Sequence, residues 1–331
     1  MRRKSPAIRV LIHGLAYFSR SFPAFLKTEG WDIRTYAARG SAALLPMTAF
    51  LHQCDLAYAW AGRITMGKFL SMARLLGKQK LIMFWCGSDV LEARREYDAG
   101  RSIEPWIAEK IHWAGTPWLA EEVRAMGLES EYVPTTWVPV FDSLDRLPEK
   151  FSVLSYLPDA ERVSLYGIDQ VLEVARALPS VDFNIVGLRP GQSLSVPDNV
   201  KLHGWIADMA PFYRNATVVW RPTRHDGLSF MALQALAYGR YLMWSYPFTG
   251  AVTVKETNMA RTELQRMLEL HHSGQLEINR IGTDFVTRNF SPDTIRDGIL
   301  SRWRKVVESP AYSAAPEYAG EPAEKSSRQL L

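Results

Sequence analysis

The chain has 331 residues, enough for two domains of ordinary size, since domains usually hold about 100–200 residues. Hydrophobic residues make up 47% of the sequence and charged residues 22%, which excludes an intrinsically disordered chain and predicts packed cores. The net charge of +4 fits a phosphate-bearing partner, an anionic membrane surface or simply a solvated surface, and no basic block beyond the first four residues indicates a nucleic-acid binder.

Cysteine usage and hydropathy indicate a reduced, cytoplasmic protein. Cys54 and Cys86 match no metal-ligand spacing, so the simplest expectation is two free thiols. The start, Met1–Lys4, resembles the basic region of a signal peptide, but Arg9 and His13 interrupt the apolar stretch that follows. No run of about 18 apolar residues predicts a transmembrane helix, although the protein could still sit at the inner face of a membrane.

The first half of the chain alternates short apolar runs, several closed by a glycine, with amphipathic segments. Strands are predicted over Ile8–His13, Trp31–Tyr36, Asp55–Trp60, Lys80–Trp85, Ile111–Ala114 and Glu131–Pro134. Helices are predicted over Ser19–Thr28, Thr65–Gly77, Val90–Arg95 and Trp118–Met126. This alternation predicts a parallel sheet with helices on both faces.

The second half repeats the pattern after a proline-containing linker over residues 134–148. Strands are predicted over Phe151–Tyr156, Asp182–Val186, Val200–His203, Thr217–Arg221 and Tyr241–Ser245. Helices are predicted over Ile168–Leu178, Ile206–Tyr213, Ser229–Tyr238, Asn258–His272 and Ser291–Val307.

The predicted architecture is α/β, with two Rossmann-like, doubly wound domains that face each other across a cleft. Residues 1–140 form the acceptor-side domain, and residues 141–290 form the domain that binds the donor. A helix over residues 291–308 is expected to pack back on the first domain. Residues 309–331, rich in Pro, Ala, Glu and Ser, are expected to be disordered because they bury too little apolar surface.

The segment Val218–Gly250 carries the strongest functional pattern: a buried strand, a polar loop containing Gly227, and a helix that begins near Ser229. A helix amino terminus presents unpaired N–H groups and a partial positive charge, which suits a diphosphate. Arg221 and Arg224 flank this point and could add charge without a metal ion. The alternative is that Ser229 simply caps an ordinary Rossmann helix.

This segment resembles the signature of retaining family-4 glycosyltransferases, in which two acidic residues eight apart surround a glycine-containing turn before an Ala-rich helix. By position, the first acid is Asp226, which the resemblance places near the donor sugar as a catalytic residue. The turn residues Gly227, Leu228 and Ser229 would offer amides to the donor phosphates. The position of the second acid, which binds the ribose hydroxyls in the family, holds Gln234.

Further segments along the chain resemble the same family, in the same order, over residues 8 to 307. Phe84–Val90 resembles its strand-end turn facing the cleft, and Ala114–Leu119 resembles the strand and helix that follow. Asn184–Gly187 and Leu202–Trp205 occupy the places where the family brackets the nucleobase, so that Gly187 and Gly204 become donor-binding candidates.

The sequence departs from the family pattern in two places. Gln234 can meet a ribose diol, since an amide both donates and accepts, but a carboxylate forms stronger hydrogen bonds. The family also carries an Arg and a Lys after the first strand of the second domain, whereas the lysine position here is Leu165 or Tyr166. The candidates that could meet the diphosphate charge instead are Arg162, Arg221 and Arg224.

Fewer signals mark the first domain. Gly14, after the first strand, permits close backbone approach to the donor phosphates, or is simply a turn. Asp89 is the candidate general base for the acceptor hydroxyl, and its alternative role is to cap the helix that follows. His13, His112 and His203 are expected to be structural histidines.

The hypothesis from these patterns is a glycosyltransferase that moves a sugar from a nucleotide-sugar, which is a substrate, to a hydroxyl of a glycan or lipid-linked acceptor. No cofactor and no metal ion are expected, and retention of configuration and a role in cell-surface polysaccharide or glycolipid synthesis follow from the resemblance alone. The alternatives are a non-catalytic, glycosyltransferase-like binding protein and a GT-B epimerase that acts on the sugar-nucleotide itself.

Lipid contact remains an open alternative for one helix. The predicted helix Thr65–Gly77, with the residues just after it, carries several basic residues beside its apolar face. Such a helix can lie on anionic lipid, or it can simply be a crossover helix of the sheet.

Overall fold

The computed structural model describes residues 7–14, 22, 24–37 and 44–310. These residues divide into two compact units: the first runs to Thr136 and resumes at Pro292, and the second is Trp137–Ser291. The basic start Met1–Lys4, part of the helix predicted over Ser19–Thr28, and residues 311–331 of the expected tail lie outside the described residues.

The first unit is built on a parallel, six-stranded sheet in the order β2-β1-β3-β4-β5-β6. β3 and β4 read LAYAW and LIMFW and are buried at every position, as expected of parallel strands covered on both faces. The strands are β1 (Ile8–Gly14), β2 (Trp31–Ala37), β3 (Leu56–Trp60), β4 (Leu81–Trp85), β5 (Ile111–Ala114) and β6 (Ser130–Tyr132).

Helices cover this sheet on both faces. The helices are α1 (Leu44–Gln53), α2 (Lys68–Leu75), α3 (Ser88–Asp98), α4 (Pro105–Ala108), α5 (Pro117–Ala125) and α11 (Pro292–Glu308). α11 comes from the far end of the chain: Trp303 is fully buried beside Tyr58, with ring centroids 5.5 Å apart, and Arg302 Nε donates to Glu131 Oε1 at 3.0 Å.

The second unit contains another parallel, six-stranded sheet in the order β12-β11-β10-β7-β8-β9. Counted within the unit, this is the order 6-5-4-1-2-3, which is the dinucleotide-binding order 3-2-1-4-5-6 read from its other edge. The strands are β7 (Ser152–Tyr156), β8 (Asp182–Val186), β9 (Val200–Leu202), β10 (Val218–Arg221), β11 (Tyr241–Trp244) and β12 (Ala251–Thr253).

In the second unit, α6 and α9 pack on one face of the sheet through a core of aliphatic and aromatic side chains. The helices are α6 (Ile168–Ala177), α7 (Ala210–Arg214), α8 (Phe230–Ala237), α9 (Thr257–His272) and α10 (Arg280–Phe290), and a 3-10 turn spans Ala160–Arg162.

Two predicted helices are shorter than their patterns indicated. The helix predicted over Ile206–Tyr213 begins only at Ala210, because Pro211 fits the first turn of a helix and not its interior. The helix predicted from Thr65 begins at Lys68, because Gly67 takes the extended N-cap conformation at φ −125°. α1, α4, α10 and β12 were not predicted. The backbone of α10 at Gly282 lies close to Gly250, where a Cβ atom would stand 2.2 Å from Gly282 Cα.

Candidate functional site

The second unit has a topological switch point between β7 and β10, because chain connections leave these neighbouring strands in opposite directions along the sheet. Ligands of such sheets bind at the carboxyl ends of the strands at this point. The loops that follow β7 and β10 are joined there: Arg224 N donates to Leu165 O at 2.9 Å. Gly167, at φ +65°, lies so close that a Cβ atom would stand 2.0 Å from Pro222 O.

The amino end of α8 lies in the loop after β10, as the sequence pattern predicts. Ser229 is the N-cap, at φ −72° and ψ 123°, and its Oγ accepts a hydrogen bond from Ala232 N at 3.3 Å. Gly227 is buried and Leu228 is half-buried. The capping role of Ser229 is thus observed, and it leaves other amides of the first turn as possible anion partners.

Arg221, the last residue of β10, is paired with Asp226 inside this loop. The Arg221 Nη2 donates to Asp226 Oδ1 at 2.7 Å, and the Arg221 Nε donates to Asp226 Oδ2. The two side chains are only 11% and 9% exposed, and the neighbouring carboxylate raises the Arg221 pKa against the opposing effect of burial. The guanidinium also stands 5.7 Å from the centroid of the ring of Tyr166, one of the two residues that the sequence places at the lysine position of the family pattern.

The Asp226 carboxylate accepts two more hydrogen bonds. Thr223 Oγ1 donates to Oδ2 at 3.0 Å, and Trp244 Nε1 donates to the same oxygen at 3.1 Å. With both prongs of Arg221, these are four donors for the roughly four lone-pair sites that a carboxylate offers. The carboxylate therefore fastens the loop after β10 to the end of β11, and this arrangement leaves little acceptor capacity for a sugar hydroxyl.

The other two candidate arginines are more accessible. Arg224 Nη2 pairs with Asp169 Oδ2 at 2.6 Å, and both side chains are nearly half exposed. Arg162 is exposed on the 3-10 turn after β7. Exposed ion pairs are weak, so that Arg224 could exchange Asp169 for a phosphate at small cost.

Gly187 and Gly204 join the loops that follow β8 and β9. Gly187 N donates to Gly204 O at 2.5 Å, and both residues have positive φ, at +105° and +66°. A Cβ atom on Gly187 would lie 2.3 Å from the Tyr156 ring, so this position needs glycine for space as well as for conformation. Trp205 follows directly and is 68% exposed, an unusual state for a large aromatic side chain.

Gln234 lies in α8 and is bound to a neighbouring helix. Its Oε1 accepts a hydrogen bond from Tyr213 Oη at 2.9 Å, while Gln234 remains half-buried. Burial raises the Tyr213 pKa well above its usual value, so the hydroxyl remains a donor. The side-chain amide nitrogen of Gln234 is thus left to act as a donor.

A separate cavity of about 200 Å³ lies on the face of this sheet beneath α7. His203 Nε2 and Asn184 Oδ1 are 2.8 Å apart at its wall, and the His203 ring stands edge-on to Phe212. Partial burial lowers the His203 pKa, which favours the neutral ring. The cavity reaches Ser152 at the opposite end of β7, so it is not part of the switch point.

In the first unit, the switch point lies between β1 and β3. Gly14 ends β1 against Trp60, and a Cβ atom there would stand 2.4 Å from the Trp60 Cβ, which makes the glycine a packing requirement. Ala61 follows β3 at φ 79°, a left-handed conformation that costs about 1–2 kcal/mol for a residue with a side chain. Residues with such backbone strain are often found at functional sites.

Asp89 is bonded to the loops after β3 and β4. Its carboxylate accepts hydrogen bonds from Gly62 N at 2.8 Å, from Gly87 N at 2.7 Å and from Cys86 N at 3.1 Å. The side chain is buried, and burial raises its pKa while the backbone donors oppose the rise. These contacts favour a structural role at the start of α3 over that of a general base.

Two of the histidines have neutral rings near pH 7, because burial lowers their pKa values. His112 is fully buried, accepts from Trp85 Nε1 at 3.1 Å, and lies 3.0 Å from Ile107 O through its Nε2; burial lowers its pKa to about 4. His13 stacks on Phe69 with centroids 4.1 Å apart, and burial likewise lowers its pKa to about 4. These contacts favour a structural role for both histidines.

Neither a metal centre nor a membrane span emerges from the described part of the chain. Across its described ranges, no three His, Cys, Asp or Glu side chains are grouped so that they could share a metal ion. The search of the same residues found no helix that is both long and apolar enough to cross a bilayer.

Comparison with known proteins supports one class of enzyme. Residues 159–257, all in the second unit, match the family model described as glycosyl transferases group 1. No curated protein sequence matches the chain.

Several solved structures share the fold over nearly their whole length. A glycosyltransferase from Rickettsia africae has a TM-score of 0.66 at 9% identity and covers 92% of this chain and 100% of its own. Sucrose-phosphate synthase from Thermosynechococcus elongatus has a TM-score of 0.64 at 13% identity, covering 90% and 98%. The Anabaena protein HepE, in complex with UDP-glucose, has a TM-score of 0.60 at 13% identity, covering 90% and 99%.

At 9–13% identity, these structural matches show the fold alone, a pair of parallel α/β units of the GT-B type. The matched domain adds the chemical class. Together they support a glycosyltransferase whose group 1 domain holds the switch point between β7 and β10.

Proposed function

We propose that the chain transfers a sugar from a nucleotide-sugar to an acceptor hydroxyl, with the donor held at the carboxyl edge of the second sheet. The observation that carries this proposal is the position of the capped start of α8, which lies within the matched residues 159–257 and at the switch point of a dinucleotide-binding sheet. Backbone amides there would meet the diphosphate, with Arg224 and Arg162 as the accessible cations.

The base of the donor would lie at the joined loops after β8 and β9. Trp205 presents an exposed aromatic face beside Gly204, and stacking on such a face is a general way to hold a base. Gln234, with its free amide nitrogen, would meet the ribose hydroxyls. The neighbour HepE was solved with UDP-glucose, which supports a donor of this chemical class.

In the proposed reaction, the bond between the sugar C1 and the phosphate oxygen breaks, and the diphosphate leaves with the electron pair. The acceptor oxygen bonds to C1, and its proton passes to the released diphosphate or to solvent. The proposed reaction retains the anomeric configuration and needs no metal ion; both features are taken from the family resemblance. The arginines at the strand ends would then stabilise the negative charge that develops on the leaving group.

Asp226 enters this proposal as a positioning residue. Its four hydrogen-bond donors hold it against Arg221 and β11, so its negative charge is already compensated before any substrate binds.

The acceptor would be a glycan or a lipid-linked sugar, used at the cytoplasmic surface of an anionic membrane.

The experiment is a thermal-shift series of the full chain with UDP-, GDP-, ADP- and dTDP-sugars. A ligand that binds only the folded state raises the melting temperature. One nucleotide class should raise it by several degrees, Trp205→Ala should reduce the shift, and Met259→Ala, an exposed apolar residue elsewhere in this unit, should leave it unchanged. If no nucleotide-sugar shifts the melting temperature, the proposal is wrong.

A non-catalytic binding protein is the second candidate, favoured by the saturated Asp226 carboxylate and by Gln234 in place of an acid. It would show the same thermal shift without releasing nucleoside diphosphate. Incubation with the donor, with and without glycan or lipid-linked acceptors, followed by mass spectrometry of the nucleotide, separates the two functions. The same measurement detects an epimerase as a new sugar-nucleotide formed without acceptor.

A further inference from the structure

Two leucines on the first unit are almost fully exposed to solvent. Leu45 is 84% exposed and Leu75 is 86% exposed, the highest values for large hydrophobic side chains in the described ranges. Leu44, beside the first of them, is 50% exposed. Large apolar side chains that are exposed on one surface indicate an interaction site, because removing them from water is favourable.

The leucines belong to neighbouring helices in one outer layer. α1 and α2 cover the same face of the sheet, where their inward side chains join a single core cluster. Thr48 Oγ1 donates to Met72 Sδ at 2.9 Å, which joins the two helices at mid-length. Leu45 lies one turn before Thr48, and Leu75 lies one turn after Met72, so the pair marks both ends of a surface that we name the α1–α2 surface.

The stretch that contains this surface is strongly basic. Between Ile33 and Ser88 the sequence has seven Lys and Arg residues against one acidic residue, Asp55, a net of +6 where the whole chain has +4. The basic residues are Arg34, Arg39, Arg63, Lys68, Arg74, Lys78 and Lys80.

Several of these positive charges lie at α2 itself. Arg63 and Lys68 are exposed at its amino end. Lys78, just past its carboxyl end, donates to His52 O at 3.1 Å and Cys54 O at 2.7 Å, and carbonyl groups leave its charge uncompensated. Two members of the basic set pair with carboxylates: Arg74 with Glu104 at 2.8 Å, and Arg34 with Asp32 at 2.9 Å.

We propose that the α1–α2 surface docks on an anionic phospholipid bilayer. Leu45 and Leu75 would enter the boundary between headgroups and acyl chains, while Arg63, Lys68 and Lys78 meet lipid phosphates. The combination points to lipid, because a nucleic acid would match the positive charge but offer little to the leucines. An amphipathic, basic helical surface of this kind lies in the membrane interface and does not span it.

This inference deepens the proposed function. It rests on that function only for the reason to bind a membrane, which is to reach a lipid-linked acceptor. The surface itself is defined by exposure and charge. Its test measures vesicle binding and not sugar transfer, so either proposal can fail while the other stands.

The test is sedimentation of the purified full chain with vesicles of phosphatidylcholine alone or with about one third phosphatidylglycerol. We expect binding to the anionic vesicles at least about 10-fold tighter than to neutral ones, and weaker at high salt. Leu45→Ser/Leu75→Ser should weaken binding about 10-fold or more, since two apolar side chains leave the interface. Arg63→Gln/Lys68→Gln should remove most of the preference for anionic lipid.

The matched control is Met259→Ser/Ile281→Ser, two exposed apolar residues of the second unit, which should bind vesicles as the parent chain does. Circular dichroism would confirm that every variant is folded. Equal binding by the leucine variant and the parent chain would overturn the inference. So would equal binding to neutral and anionic vesicles, or a dimer in sedimentation velocity that the leucine substitutions dissociate.

Discussion

Arg221 and Asp226 form a buried, two-pronged ion pair that closes the loop after β10 onto the strand it leaves. Their side chains are 11% and 9% exposed, and Thr223 and Trp244 complete the set of donors to the carboxylate. The aspartate is therefore part of the structure before it can be part of a reaction. This relationship changes how substitutions of Asp226 should be interpreted.

Asp226→Ala should destabilise the protein by about 3–5 kcal/mol, because it leaves the buried Arg221 without its counter-charge. Urea unfolding, followed by circular dichroism, measures this loss. An inactive Asp226→Ala protein would therefore say nothing about catalysis. The matched control is Arg221→Met/Asp226→Leu, which removes both charges and should restore most of the stability; a double variant as unstable as Asp226→Ala would contradict the pairing.

Gly187→Ala should cost about 3–5 kcal/mol of unfolding free energy, combining left-handed strain with a Cβ atom 2.3 Å from the Tyr156 ring. Gly191→Ala is the control, since Gly191 also has positive φ, at +81°, but nothing stands within 4 Å of its Cβ position. It should cost only about 1 kcal/mol. Similar losses for the two variants in urea unfolding would show that the Tyr156 contact is unimportant.

The stability of the protein should fall as the pH drops below 6.5, partly through His112. Burial lowers its folded pKa to about 4, so between pH 6.5 and 4 the unfolded state binds a proton that the folded state does not. The neutral ring thus stabilises the fold fully above pH 6.5, and about 2 kcal/mol is lost between pH 7 and pH 5.

His112→Gln keeps a hydrogen-bonding side chain that does not titrate, and urea unfolding at both pH values compares it with the parent chain. The variant should start less stable at pH 7 and lose about 2 kcal/mol less on acidification. Burial also lowers the His13 pKa to about 4, so His13 contributes to the loss of stability on acidification in both proteins. An identical pH dependence for variant and parent would exclude His112 as a source.

Gln234→Glu should tighten nucleotide-sugar binding several-fold if the ribose lies at α8, because a carboxylate accepts stronger hydrogen bonds than an amide. Tyr213 Oη, which donates to Gln234 Oε1 at 2.9 Å, can donate equally well to the glutamate. Isothermal titration with the donor found by thermal shift provides the measurement. Tyr213→Phe frees one acceptor oxygen without adding charge and should have the smaller effect; unchanged affinity in Gln234→Glu would place the ribose elsewhere.

Several elements could be predicted from the sequence because their causes are local. β8 was predicted over its exact residues, Asp182–Val186, since a short apolar run ends at Gly187 and begins after a polar turn. The cap of α8 at Ser229 follows from one hydroxyl that reaches an amide three residues away. α1 was not predicted, because Pro46 and a nearly continuous apolar pattern hide its helical period.

The sequence by itself determined the class of fold and the segment in which we propose that the donor binds, because strand and helix periods, glycines and caps act over a few residues. Only the tertiary structure decided what the charged and apolar groups do. It paired Arg221 with Asp226, gave Asp89 three backbone amides, and left Leu45 and Leu75 in solvent. Those outcomes depend on which surfaces the strand order brings together or leaves exposed to solvent. Burial then sets how strongly each charged or apolar group interacts with its neighbours.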